Sequence, residues 1–284
     1  MSENLSKEDD TLSRERAWFS GELLYGDDLS GPELADWFAS EEGAYHEIRT
    51  KQDFRTRQGE YVYGYHYLNY WYGYRNLVGR HFRCALALGC ARGDDVSPIA
   101  SQVERIVAIE PARGWWRDSI AGTPACYLAP QVSGDIDLAD AVVDLAVSFS
   151  TLHHIPNVSH TLAELSRVMV PGGMLVLREP ISSMGDWRKP RTGLTPNERG
   201  IPMRWMKRAL ADNGFHVKRA ALCIHPLIVW IARGIRAQDP FNRRAPVWLD
   251  AALSAMTSWN LHYVREPFWK KVAPGTCFYV AERL

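Results

Sequence analysis

The sequence predicts an α/β protein built on a mostly parallel sheet covered by helices on both faces. Three observations carry that expectation. Apolar runs with the length of buried strands alternate with segments of helical spacing from residue 82 onward. The first of these runs breaks on glycines and the second ends on an acid, in CALALGCARGDDVSPIASQVERIVAIEP. A Pro171-Gly172-Gly173 turn then separates a helical segment from a further run, MLVLREP. Strand, glycine turn, helix, strand and carboxylate in that order form a unit that places a ligand at the carboxyl ends of its strands.

Composition narrows the class. The 284 residues suit one large domain or one domain with additions. Lysine plus arginine equals aspartate plus glutamate at 33 each, which argues against a primary nucleic-acid binder, since such proteins show a basic excess. The cysteines at 84, 90, 126, 223 and 277 are odd in number and form no CxxC pair. That pattern fits free thiols in a reducing compartment, with no metal site or disulfide framework. The start, MSENLSKEDDTLSRER, lacks the apolar core of a signal peptide, and the apolar run at 227–232 is too short to span a bilayer. The expectation is a cytoplasmic protein without a membrane span.

The elements follow in order. Residues 1–16 are polar and without period, and are expected to be disordered. PELADWFAS at 32–40 has helical spacing. The aromatic stretch YVYGYHYLNYWYGY at 61–74 reads as a helix continuing to Val78, its rings packed in the core or facing a substrate. Residues 84–88 form the first strand, 95–103 a short helix, 106–109 the second strand, RGWWRDSIAG another short helix and 125–128 a short third strand. The valine-rich 142–149 is the fourth strand, 158–169 a helix with Leu162, Leu165 and Val168 on one face, and MLVLREP the fifth strand. A polar connection at 182–202 leads to a helix at 203–213 stopped by Gly214. Strands at 216–223 and 276–282 flank an insertion, 225–274, with two helices; its stretch CIHPLIVWIARGI is expected to be buried.

Four of these pieces together resemble the class I S-adenosylmethionine-dependent methyltransferases, in their small-molecule, type 11-like branch. They are LALGCARG, VAIEP, VVDLAVSFSTLHHIPN and VMVPGGMLVLREP, and the resemblance covers residues 82–213 and the last strand. It implies a Rossmann-like, doubly wound, seven-stranded sheet whose last strand is antiparallel. It also implies residues 1–80 as an N-terminal tail and aromatic cap, and 81–284 as the cofactor-binding domain. In two places the chain departs from the family motif: Ala87 stands where the family has an acid, and Ala91 where it has a glycine. Asp94 or Asp95 is a substitute for the missing charge.

The implied cofactor site comprises Leu88, Gly89, Cys90, Ala91 and Gly93 in the glycine loop, with Glu110 and Pro111 after the second strand. Asp135, or in its place Ser133 or Asp137, is expected beside the adenine, with Trp115 or Trp116 as a wall, and Phe149 and Ser150 beside the transferable methyl. Glycine permits positive φ and close approach of backbone to a ligand. A carboxylate at Glu110 can accept hydrogen bonds from both ribose hydroxyls. Methyl transfer is an in-line displacement that depends on alignment, and a base helps when the nucleophile is a hydroxyl. His154 and His153 are the candidate bases, because imidazole takes a proton near neutral pH, and Glu179 is a second candidate.

Arg188, Arg191, Arg199 and Arg204 concentrate in and just after the polar connection, and arginine forks suit phosphate or carboxylate. The expected function is therefore O-methylation of a small acceptor, phosphorylated or acidic, of the sugar, glycan or secondary-metabolite kind. A homo-oligomer stays open. Two alternatives remain: a non-catalytic cofactor-binding scaffold with a degenerate glycine loop, and a nicotinamide-dependent oxidoreductase, whose G-x-G-x-x-G is absent.

Overall fold

Strands that are apolar on both faces become the centre of a sheet, and the chain threads four of them side by side. The computed structural model describes residues 2–51, 56–57, 60–266 and 268–284, and the side chains of 11–44, 62–266 and 268–284. Two helices come first, α1 (Ser2–Ser20) and α2 (Pro32–Lys51), then two short paired strands, β1 (Thr56–Arg57) and β2 (Glu60–Tyr61), and α3 (His66–Tyr72). The central part follows as β3 (Phe82–Leu88), β4 (Val103–Ile109), β5 (Ser119–Ile120), β6 (Thr123–Leu128), β7 (Val143–Phe149), α4 (Val158–Val168) and β8 (Met169–Pro180). The chain ends with α5 (Met203–Asp212), β9 (Phe215–Cys223), α6 (Pro226–Gly234), α7 (Arg244–Met256) and β10 (Thr276–Arg283).

The main sheet has the order β5-β6-β4-β3-β7-β8-β10-β9. Neighbours from β6 through β8 are parallel, and β10 runs antiparallel to both β8 and β9, as the resemblance implied. On one face the sheet packs against α4 and α5 through Leu162, Leu165, Met206 and Leu210; on the other it meets α3, α6 and α7 through Leu68, Ile228 and Val247. Leu86 and Val147 are completely buried in neighbouring strands, each worth about 1.5–3 kcal/mol of burial.

The sheet has eight strands rather than seven. The extra one, β5, pairs antiparallel with β6 across Ala121 and Gly122, at φ 48° and 87°. Positive φ at both central residues is the hairpin geometry that matches strand twist, and an alanine at the first position hid it in the sequence. The helix expected at 95–103 is a run of turns followed by a 3₁₀ segment, Ser97–Gln102. Asp94 and Asp95 favour turns, and Pro98 brings no N–H for a longer helix. The helix expected after Glu110 is likewise one 3₁₀ turn, Arg113–Trp115.

Three further expectations are corrected. Residues 2–16, expected to be disordered, belong to α1, and α2 runs past residue 40 to Lys51. The aromatic stretch is helical only from His66, with a 3₁₀ turn at Tyr74–Leu77; the ring of Tyr61 lies outside the described side chains. In α6, expected to be buried, Trp230 and Ile231 are exposed, as is Ile235 just beyond it. The aromatic stretch and the insertion do meet. Asn242 Nδ2 donates to the Tyr63 carbonyl, Tyr65 stacks on Phe241, and Tyr72 Oη donates to Asp250. Among the described residues no helix is long and apolar enough to cross a membrane.

Candidate functional site

At the carboxyl end of β3 the backbone turns through Gly89, Ala91 and Gly93, all at positive φ (68°, 51° and 84°). Ala91, standing where the resemblance has a glycine, takes the glycine conformation. A Cβ on Gly89 would run into the side chain of Thr151, and one on Gly93 into Ile120. Both bare positions are therefore required by the protein's own packing. Ala87 is fully buried in β3, so the family's acid has no solvent-facing counterpart at that position.

Glu110 follows β4 and turns its carboxylate back into the crevice between the two strand ends. Oε2 accepts from Ala91 N–H at 2.9 Å and Oε1 from Ala112 N–H at 2.9 Å. These two bonds orient the carboxylate, which has about four lone-pair positions. Trp116 Nε1 donates to the Glu110 carbonyl and stacks on Tyr127, whose hydroxyl donates to the Ala91 carbonyl. Trp116 is thus tied to the crevice. Cys90 is buried, and burial pushes its thiol pKa well up. Asp135 lies in the loop after β6 but is exposed, and pairs with Ser133 and with His160 of α4.

Asp95, in the turn after Gly93, is buried, and its Oδ1 has no hydrogen-bond partner. Burial pushes its pKa up to about 7, opposed by the Val96 N–H and the charge of Arg178. An orphaned buried carboxylate oxygen beside a glycine turn suits an ammonium group.

The loop after β7 carries both histidines. Glu179, fully buried at the end of β8, accepts from Thr151 N–H and Leu152 N–H with Oε1, and its Oε2 lies 2.8 Å from His153 Nδ1. The other ring nitrogen of His153 is 3.6 Å from Glu198. Burial disfavours charge on this ring, but hydrogen bonds to Glu179 and Glu198 outweigh it and push its pKa up to about 9. Burial also opposes charge on Glu198, yet the His153 hydrogen bond holds that carboxylate down at about 2. Of the three sequence-derived candidates for proton transfer, His153 and Glu179 are therefore bound to each other.

His154 is placed differently. It is part-exposed, with Nδ1 2.9 Å from Oε2 of Glu41, a residue of α2. Thr195 Oγ1 also donates to that oxygen, and Asn197 N–H donates to the other. Trp37 Nε1 donates to the His154 carbonyl. Donor atoms of His153, His154 and Glu198 fall within 4.8 Å of one another, close enough to hold a cation, although the first and last already pair.

The arginines expected to meet an acidic acceptor are mostly engaged elsewhere. Arg199 is fully buried and donates to the carbonyls of Tyr25, His153 and Pro156. Arg191 donates to the carbonyls of Thr195, Pro196 and Glu198, and Arg188 pairs with Asp186 and Glu15. Arg204 is exposed on α5. Sequence reasoning missed Glu41, Glu198, Thr195 and Arg178. Glu41 is 113 residues from His154, and no local pattern links them.

Comparison with known proteins agrees with this geometry. Residues 86–177 match the family model described as a methyltransferase domain. An S-adenosylmethionine-dependent methyltransferase, by description, of Mycolicibacterium smegmatis is 26% identical over 118 residues, covering 39% of this chain and 46% of that protein. A 37.1 kDa protein of transposon TN4556 from Streptomyces fradiae is 32% identical over 117 residues, covering 39% of this chain and 32% of that protein. The chain thus matches less than half the length of either relative. Among solved structures, an S-adenosylmethionine-dependent methyltransferase from Mesorhizobium loti has a TM-score of 0.50 at 14% identity, covering 75% of this chain and 97% of that one. YcgJ from Bacillus subtilis has a TM-score of 0.50 at 12% identity, covering 77% and 99%; at such identities these two likenesses speak to the fold. Residues 86–177 thus match a methyltransferase domain, and the fold around them is shared with S-adenosylmethionine-dependent methyltransferases, whose cofactor is S-adenosylmethionine. The glycine turn, the Glu110 carboxylate and the orphaned Asp95 oxygen fit that molecule.

Proposed function

We propose that this protein transfers the methyl group of S-adenosylmethionine to a hydroxyl oxygen of a small acceptor, with His154 as the proton acceptor. The observation that carries this reading is the His154–Glu41 pair beside the end of β7. A carboxylate on Nδ1 keeps the ring proton there and puts the ring's basic lone pair on Nε2. When bound, the cofactor supplies an electrophilic methyl on a sulfonium sulfur. Glu110 would accept from its ribose hydroxyls, and Asp95 would face the ammonium of its methionine tail. Trp116 and Pro111 border the adenine; Asp135, exposed, approaches it only from the rim. Phe149 and Ser150 close the side nearest the methyl. As the acceptor oxygen bonds to the methyl carbon and the carbon–sulfur bond breaks, the hydroxyl proton passes to His154 and S-adenosylhomocysteine is left.

In this reading the first 80 residues form a cap over the domain at 81–284, and the insertion at 225–274 helps wall the acceptor space. His153 and Glu179 act as positioning residues, fixing the loop that presents His154. The test is transfer of label from methyl-tritiated S-adenosylmethionine to hydroxylated sugars, glycan fragments and phenolic metabolites. Labelled product that disappears in His154→Ala supports the reading. Cofactor binding with no transfer to any acceptor would favour the scaffold alternative. Retention of the glycine conformation at Ala91 speaks against a collapsed loop.

A further inference from the structure

Consecutive residues of a strand point to opposite faces. In β8, Glu179 faces the histidine loop and Arg178 goes the other way, beneath α3. Arg178 is 3% exposed. Its guanidinium carries five N–H donors, of which Nη1 meets Asn69 Oδ1 at 2.8 Å and Nη2 meets Ser150 Oγ at 3.3 Å. Its Nε is buried without a partner. The rings of Tyr65 and Phe149 lie 4.3 and 5.3 Å from the guanidinium carbon. Among the described residues no carboxylate lies within ion-pair distance of it. Asp95 feels its charge without a hydrogen bond to it.

Glu179 and Asp95 act on it only through space; a buried cation without a hydrogen-bonded partner charge is costly, and arginine does not escape by losing its proton. Such a group persists where a ligand completes it, and the planar fork matches carboxylate and phosphate. Its position says which ligand. The glycine turn and Glu110 lie at the ends of β3 and β4, whereas Arg178 lies at the end of β8, beyond β7 and so roughly 10 Å across the sheet from β3. That is the side of Ser150 away from the ribose. The aromatic stretch that supplies Tyr65 and Asn69 packs there against the insertion.

We propose that Arg178 receives an anionic group, carboxylate or phosphate, of the methyl acceptor, with Asn69 and Ser150 orienting the guanidinium and Tyr65 and Phe149 walling it. The acceptor is then an acidic small molecule carrying its hydroxyl at some distance from its charge. The inference rests on the methyltransferase reading for the identity of the ligand as acceptor.

The test uses full-length protein saturated with S-adenosylhomocysteine and titrated with inorganic phosphate or benzoate, with benzamide as the uncharged control. Tryptophan fluorescence reads binding. Wild type is expected to bind at least one anion saturably and to ignore benzamide. Arg178→Gln is expected to weaken that binding about tenfold or more, as loss of a charged hydrogen bond does. Asn69→Asp supplies an internal carboxylate to Nη1 and is expected to give the same loss with the side chain of Arg178 still present. Arg178→Lys keeps the charge and is expected to retain part of the affinity. Melting temperature checks that each variant folds. Absence of anion binding in wild type overturns the proposal. So does a parallel loss of S-adenosylhomocysteine affinity in Arg178→Gln and Asn69→Asp, which would assign the guanidinium to the cofactor's own carboxylate. If wild type binds no S-adenosylhomocysteine, the methyltransferase reading fails by itself, and anion titration of the unliganded protein still decides whether Arg178 is an anion site.

Discussion

Nδ1 of His153 lies 2.8 Å from Oε2 of Glu179, and the other oxygen of that carboxylate accepts from Thr151 N–H and Leu152 N–H. One buried acid therefore fixes both the backbone and the first ring of the loop that carries His154. This pair separates two histidines that are adjacent in sequence and indistinguishable by type. His153 is enclosed and its pKa is held up by two carboxylates, while His154 is part-exposed and backed by Glu41 from another element.

The His153 pair makes stability depend on pH. Its pKa is raised from the ordinary 6.5 to about 9, so its contribution is complete below the unfolded value and is lost as pH rises through about 9. Removing that contribution costs on the order of 2–4 kcal/mol. The melting temperature of wild type is expected to fall between about pH 7 and pH 10, and that of Glu179→Gln to start lower and fall less. Equal slopes in the two proteins, measured by circular dichroism, would show that the ring is not held charged.

Replacing His154 by alanine is expected to reduce methyl transfer by about 10²–10⁴-fold, the usual range for a lost general base. Affinity for S-adenosylhomocysteine should stay the same, because the ring is not among the groups that grip the nucleoside. Glu41→Gln is expected to lower the rate less, because the ring keeps its place but loses its charged partner. A rate unchanged in His154→Ala returns the histidine to a packing role.

Glu110→Ala removes an ionised acceptor from the crevice, and hydrogen bonds to charged groups are worth about 1.5–3 kcal/mol. Calorimetry with S-adenosylhomocysteine is expected to show at least about a tenfold loss of affinity. Because Ala91 N–H and Ala112 N–H also lose their acceptor, the melting temperature should drop as well. Glu110→Gln, which keeps one oxygen acceptor, is expected to fall between the two.

The sheet and the glycine–acid crevice were legible because each rests on neighbours in sequence: an apolar run, a turn residue, a terminal acid; the antiparallel last strand came only with the family resemblance. Strand β5 was not, since its hairpin uses an alanine where sequence rules look for glycine or asparagine. The two short helices were misjudged because six or more residues of tolerable spacing can also close as turns. Within the site, the histidines could be found but not told apart. What distinguishes them comes from Glu41 and Glu198, far along the chain, and such pairings leave no periodic trace. Arg199 shows the converse failure. Its neighbourhood of arginines suggested an anion, yet burial has turned it onto backbone carbonyls, while the buried arginine that lacks a carboxylate, Arg178, sits inside an apolar strand where composition gives no hint.

Arg199 offers the sharpest test of a structural reading. Its guanidinium bonds three carbonyls well, those of Tyr25, His153 and Pro156, and so ties the N-terminal segment to the histidine loop. Arg199→Met keeps much of the side-chain volume but leaves these buried acceptors without donors, at about 1–3 kcal/mol each. The expected outcome is a loss of several kcal/mol in urea unfolding. Where the variant still folds, its tryptophan fluorescence should change, since the ring of Trp37 lies 5.2 Å from the guanidinium carbon. Arg199→Lys has one donor group instead of a fork and should recover only part of the loss. If Arg199 instead met the acceptor, the methionine variant would keep wild-type stability and fail only in turnover.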